Sequence, residues 1–196
     1  MLKRAVRVGI WIVVGGLFGF GMSSIPSPHS MSVFWVGNFC APWLVLSFLA
    51  GRTQASPNGA ILAGVLTDIA CVVGFYARFL RFDPMVLGLP AATPFFTIAT
   101  TLLRSWLAFI APWIAAALAG GAAYGLLGNW WGKRKSIAAG LAVALPFLAE
   151  PMLWPLKNGY YKGPWFIWAA EVVVGLSIAF GVLHRQRAPD RQAVRA

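Results

Sequence analysis

The chain has 196 residues, of which 59% are hydrophobic and only 11% charged. A soluble domain carries about 25% charged residues, so this composition excludes a surface covered by water, and the apolar residues must face lipid. The formal net charge of +11 raises the question of nucleic acid. The basic residues flank apolar segments, however, and no basic groove or recognition module is legible, so no nucleic-acid partner is expected.

A span needs about 20 apolar residues to cross roughly 30 Å of hydrocarbon. Val8–Ile25 meets this, preceded by Lys3, Arg4 and Arg7 and closed by Pro26 and Pro28; it is read as an uncleaved first helix. Val33–Gly51 forms a second span, ended by Arg52 and the turn residues Ser56, Pro57, Asn58 and Gly59. The third runs over about Asn58–Ala77, the fourth over about Ser105–Leu127, the fifth over about Ser136–Leu153 and the sixth over Pro164–Leu183. The fold expected is an all-α membrane protein, a bundle of six transmembrane helices forming one domain over residues 1–183. Residues 184–196 make a basic tail.

Pro84 to Leu103 is uncharged and long enough to span, but Pro84, Pro90 and Pro94 interrupt it. Counting charge decides its place. With six spans and the N-terminus inside, residues 3–7, Arg52, residues 133–135 and the basic tail all lie on the inner side. A seventh span would put most of the basic residues outside, against the positive-inside rule. The stretch is therefore expected to be a re-entrant or interfacial segment between spans three and four, and both termini are expected in the cytoplasm.

Acidic residues inside spans carry the functional expectation. A carboxylate at mid-membrane costs about 2.5–3.5 kcal/mol on the insertion scale, so it is paired, functional or both. Asp68 lies near the middle of span three, while Glu150 and Glu171 fall in the outer thirds of spans five and six. Pro42 cannot donate to the carbonyl of Asn38, which leaves an acceptor beside an amide side chain. Asn38, Glu150, Glu171 and the basic residues Arg78 and Arg104 are expected to converge on one outward cavity. Two uses of the acids stay open. They line a site for a proton, a cation or a small solute, or they pair with Arg78, Arg104 or Lys157 and hold helices together.

Other signals are weaker. Cys40 and Cys71 lie in apolar segments with no metal-ligand spacing, and His29 and His184 belong to no catalytic motif. No motif supports an enzyme, and no cofactor is indicated. Gly15 and Gly19, and likewise Gly121 and Gly125, permit close helix approach. They serve internal packing, or, for Gly15 and Gly19, a face for an energising partner subunit. Ala41-Pro42-Trp43 recurs as Ala111-Pro112-Trp113 at similar depth, and Gly163-Pro164-Trp165 opens span six.

The stretch Trp35-Val36-Gly37-Asn38, followed by Ala41-Pro42-Trp43 and Phe48-Leu49-Ala50-Gly51-Arg52, carries a resemblance. So do Ala63-Gly64, Gly74-Phe75-Tyr76, Ala149-Glu150 and the segment Glu171 to Gly175. On these residues the chain resembles a family of actinobacterial multi-pass membrane proteins classed as a domain of unknown function. It departs from that family's pattern in having a single tyrosine at Tyr76 and a proline, Pro151, after Glu150. The resemblance implies the architecture and a bacterial cytoplasmic (inner) membrane, and no activity. Size and helix number also look like the substrate-binding subunit of energy-coupling-factor vitamin importers, a likeness of fold level only. The function expected is transport-related, with a cation, proton or small solute held by Glu150, Glu171, Asp68, Asn38 and Arg104. The alternative is a non-transporting scaffold or assembly partner in which the acids form structural ion pairs.

Overall fold

The computed structural model describes residues 2–25, 40–80, 87–158 and 165–193, with side chains over 5–25, 40–80, 87–153 and 166–185. Six helices occur among the described residues: α1 (Leu2–Ser23), α2 (Ala41–Arg52), α3 (Pro57–Ala77), α4 (Phe95–Arg134), α5 (Ile137–Asn158) and α6 (Trp165–Ala193). No strand is found among them. Four stretches are long and apolar enough to cross a membrane: Ala5–Ser23, Pro57–Ala77, Phe95–Arg134 and Phe166–Arg185. Large apolar side chains such as Leu17, Phe109, Leu145, Val173 and Phe180 point outward from these helices and from α5. Lipid satisfies such a surface and water does not. The chain is a helical membrane protein.

Local signals set several helix ends. Ser56, in an extended conformation, accepts from the backbone N–H of Gly59 at 3.2 Å, and Pro57 follows at the first helical position, so α3 starts where capping chemistry directs. Lys133 and Arg134 sit in the last turn of α4, where the carbonyl end of the helix dipole favours cations. The helix stops as Lys135 turns left-handed at φ 51°.

Between helices in lipid there is little hydrophobic driving force, so backbone approach and polar contacts hold the bundle. A Cβ on Gly19 would lie 2.0 Å from the Cys71 carbonyl oxygen, and one on Gly64 would lie 2.2 Å from that of Gly121. Only hydrogen fits at these two positions, which brings α1 against α3 and α3 against α4. Gly51 meets Gly125 in the same manner, seating α2 on α4. Pairings of this kind show α1 and α3 running one way and α2 and α4 the other. α5 and α6 form an antiparallel pair, joined to the rest through a cluster of Phe48, Trp131, Ala139, Val143 and Val182.

One end of the bundle is basic. There the turn between α2 and α3 is gripped from two sides. The Arg7 guanidinium donates to the Thr53 carbonyl at 3.2 Å, and the Asn129 amide donates to the Gln54 carbonyl at 2.7 Å. Lys133 reaches the Ala55 carbonyl. Arg52, Arg134 and Lys135 are exposed at this same end.

The described helices depart from the expected spans in places. α2 is described from Ala41; the expected start of this span, residues 33–39, lies outside the described residues. Pro42 stands in its first turn, where no intrahelical donor is needed, so it opens the helix instead of breaking one. The 12 residues of α2 extend about 18 Å, short of the roughly 30 Å of hydrocarbon. The Pro84–Leu103 stretch is divided: residues 81–86 lie outside the described residues, 87–94 are turn and loop, and Phe95–Leu103 is the start of α4. Pro94 caps that helix, and no glycine or proline follows until Pro112, so nothing stops it. Its 40 residues reach about 60 Å. α6 likewise continues to Ala193, through much of the basic tail. Finally, Gly15 and Gly19 are buried against Thr67 and Cys71 of α3. Their face packs internally against α3.

Candidate functional site

Asp68 sits just past the middle of α3, with 4% of its surface exposed. On one side it meets α2, where the Ser47 hydroxyl lies within hydrogen-bonding reach. That hydroxyl also donates to the Gly64 carbonyl at 3.1 Å. A serine has one proton to give, so Asp68 shares its only described donor with a backbone group. Its Oδ1 has no hydrogen-bond partner. On the other side Asp68 approaches Gly120 of α4, whose lack of a side chain leaves space beside Oδ2.

The space continues as a cavity of about 120 Å³ between α2, α3 and α4. Trp43 and Leu44 line it from α2, Asp68, Val72, Phe75 and Tyr76 from α3, and Trp113, Ala116 and Ala117 from α4, with Cys40 at the start of α2. The aromatic rings form a continuous wall. Trp43 and Phe75 have centroids 5.5 Å apart, Phe75 and Tyr76 5.0 Å, and Tyr76 and Trp113 6.4 Å. Two buried polar atoms belonging to lining residues lack partners: Oδ1 of Asp68 and the indole Nε1 of Trp43. Cys40 and Trp113 are exposed, so the cavity reaches the surface beside them. The arrangement is a largely apolar, aromatic chamber with one acid and, in the Trp43 indole N–H, one donor left without an acceptor.

The two glutamates occupy a neighbouring place. Glu150 of α5 is 8% exposed, and its carboxylate accepts from the backbone N–H of Cys40 at 2.9 Å and of Ala41 at 3.2 Å. The first N–H groups of a helix have no partner of their own, and those of α2 lie inside the bundle, where Ala41 is 0% exposed. Glu150 supplies the missing acceptor, and its negative charge suits the positive end of the helix dipole. Glu171 of α6 is 7% exposed, lies within electrostatic reach of Glu150, and has no partner at either oxygen among the described residues. Cys40 stands between the two places. Its thiol lies close enough to feel the charges of Glu150 and Glu171, while its residue also lines the Asp68 cavity.

The structure thus brings Glu150 and Glu171 within electrostatic reach of each other and sets Asp68 apart in a chamber of its own. Arg104 is exposed on α4 and makes no hydrogen bond or ion pair with any of the three acids. Asn38 lies outside the described residues. No described cation pairs with the acids, and Arg78 instead donates to the Ser23 carbonyl at 3.2 Å. Among the described residues no three His, Cys, Asp or Glu side chains gather to hold a metal.

Sequence reasoning passed over Trp43, Phe75, Tyr76 and Trp113 as cavity residues. The signal was present in the repeated Ala-Pro-Trp: Trp43 and Trp113, from α2 and α4, line the same chamber. Set against known proteins, the chain matches no family model, no curated protein and no solved structure.

Proposed function

We propose that this protein is a transport-related membrane protein that binds a small cationic solute in the chamber around Asp68. The observation that carries this reading is a carboxylate, 4% exposed and with an unpartnered oxygen, lining a cavity that no neighbouring side chain fills. An acid at mid-membrane costs several kcal/mol to insert, and Asp68 returns little of that in packing. The adjoining hydroxyls of Ser47 and Thr67 already bond backbone carbonyls. In this reading the six helices alternate in direction within the membrane of a bacterial cell, with the basic end and both termini in the cytoplasm. The alternating helix directions and the basic end support that orientation.

Glu150 and Glu171 take different parts. Glu150 holds the start of α2, which carries Trp43 and Leu44 of the chamber. Glu171, unpartnered beside it, is the second place for a proton or cation.

The test uses Cys40, which is exposed at the chamber, with buried Cys71 as the unreactive internal control. Small-molecule extract of the source cells should slow alkylation of Cys40 by a maleimide in the wild type and have no effect in Asp68→Asn. An unchanged rate in the wild type would sink the reading. A scaffold without a ligand is the second reading, favoured by the helix cap at Glu150. It leaves Asp68 and Glu171 without a purpose, because neither forms an ion pair with a described residue.

A further inference from the structure

From the walls of the chamber we infer that its ligand is a small alkylated ammonium ion that also carries one oxygen. The inference rests on the solute-binding reading above and names the class of solute. An alkali or alkaline-earth ion needs a shell of oxygens, about six to eight for calcium. The chamber's lining residues and their neighbour Ser47 carry one carboxylate (Asp68), two hydroxyls (Tyr76 and Ser47) and the Cys40 thiol, fewer oxygens than such a shell, while Leu44, Val72, Ala116 and Ala117 contribute only carbon. A bare metal ion would lose its water there and gain too few ligands.

An ammonium ion clothed in methyl groups meets the opposite conditions. Its charge is spread over a carbon surface that Leu44, Val72 and the alanines can pack. The faces of aromatic rings attract such a cation, most strongly when water is excluded. Trp43, Phe75, Tyr76 and Trp113 supply a wall of four linked rings, and Asp68 supplies the counter-charge. The Trp43 indole N–H is a donor without an acceptor, which the ammonium group cannot satisfy and a hydroxyl or carbonyl oxygen on the same molecule can. Size agrees. An apolar cavity of about 150 Å³ holds benzene, and a chamber of 120 Å³ open at one side takes a trimethylammonium head with its tail toward the mouth.

Binding is measured by titration calorimetry on the whole protein in lipid nanodiscs. The probe is hydroxyethyl-trimethylammonium, compared with its neutral carbon isostere, in which a tert-butyl group replaces the charged head, and with sodium and potassium. The cation binds, and the isostere binds at least tenfold more weakly. Trp113→Leu, at a half-exposed position, weakens the cation about fivefold, as loss of one partly exposed cation–π contact implies. It leaves the isostere nearly unchanged. Equal binding of cation and isostere, or preference for sodium or potassium, overturns the inference. Should the probe fail while cell extract still protects Cys40 in an Asp68-dependent way, the ammonium class falls and the binding chamber stands. Failure of both removes the chamber as a site.

Discussion

Glu150 on α5 closes the first turn of α2 by accepting a hydrogen bond from the backbone N–H of Cys40 at 2.9 Å, across 110 residues of sequence. Its second oxygen takes the N–H of Ala41 at 3.2 Å. One side chain thereby fixes both the start of a helix and the edge of the chamber that helix helps to build.

Removing that acceptor has a measurable cost. Hydrogen bonds to a charged group contribute about 1.5–3 kcal/mol, so Glu150→Ala, which strands both N–H groups, should lower stability by about 3 kcal/mol. Glu150→Gln keeps one acceptor and should lose about half as much. Reversible unfolding in mixed detergent micelles reads this directly. A loss under about 0.5 kcal/mol for Glu150→Ala would show that the start of α2 finds another partner.

Glu171 should behave in the opposite sense. Both its oxygens are buried without partners among the described residues, so Glu171→Leu exchanges a costly group for one that packs against α5. Such replacements are neutral or stabilising by about 1–4 kcal/mol. The same unfolding assay should show Glu171→Leu at least as stable as the wild type. Destabilisation comparable to that of Glu150→Ala would mean that Glu171 is held by a group in the fold.

The glycine contacts predict a sharp contrast along α1. A Cβ at Gly19 would fall 2.0 Å from the Cys71 carbonyl oxygen, whereas one at Gly9 or Gly21 meets nothing within 4 Å. Gly19→Ala should separate α1 from α3 and destabilise by about 1–3 kcal/mol. Gly9→Ala should stabilise by roughly 0.5–1 kcal/mol through helix propensity alone. Thermal denaturation of the purified variants distinguishes the two, and equal effects would contradict the packing described.

Orientation can be read separately from function. Single cysteines introduced at Lys133 and at Arg104, in a background lacking Cys40 and Cys71, should differ in access to a membrane-impermeant maleimide applied to whole cells. Position 104 should label and position 133 should not until the membrane is opened. The reverse pattern would place the basic end outside.

Much of this architecture was legible in the residues. Arg52 and the Ser56-Pro57 pair marked the turn between α2 and α3, and the Gly121/Gly125 spacing marked a close-packed face that α3 occupies. Backbone N–H donors, in contrast, are invisible to a reading of charge. Glu150 invited a search for a lysine or arginine, and its partners turn out to be backbone N–H groups from a distant helix end. Pro42 and Pro94 misled in the same direction. A proline breaks a helix in its interior but opens one at its first turn, and spacing alone does not tell which applies. The chamber was hidden for a further reason. Trp43 and Trp113 carry the usual signature of an interfacial belt, and only the parallel packing of α2 and α4 brings them to one cavity.

The central claim, that Asp68 lines a binding chamber and not a packing defect, is tested most directly by native mass spectrometry of protein extracted gently from its own membrane. Wild type should retain a small non-lipid molecule. Asp68→Asn, and Ala117→Leu, which fills the chamber from a buried alanine of α4, should both lose it while remaining folded. Spectra showing lipid alone in the wild type, or the same bound molecule in all three proteins, would contradict the account.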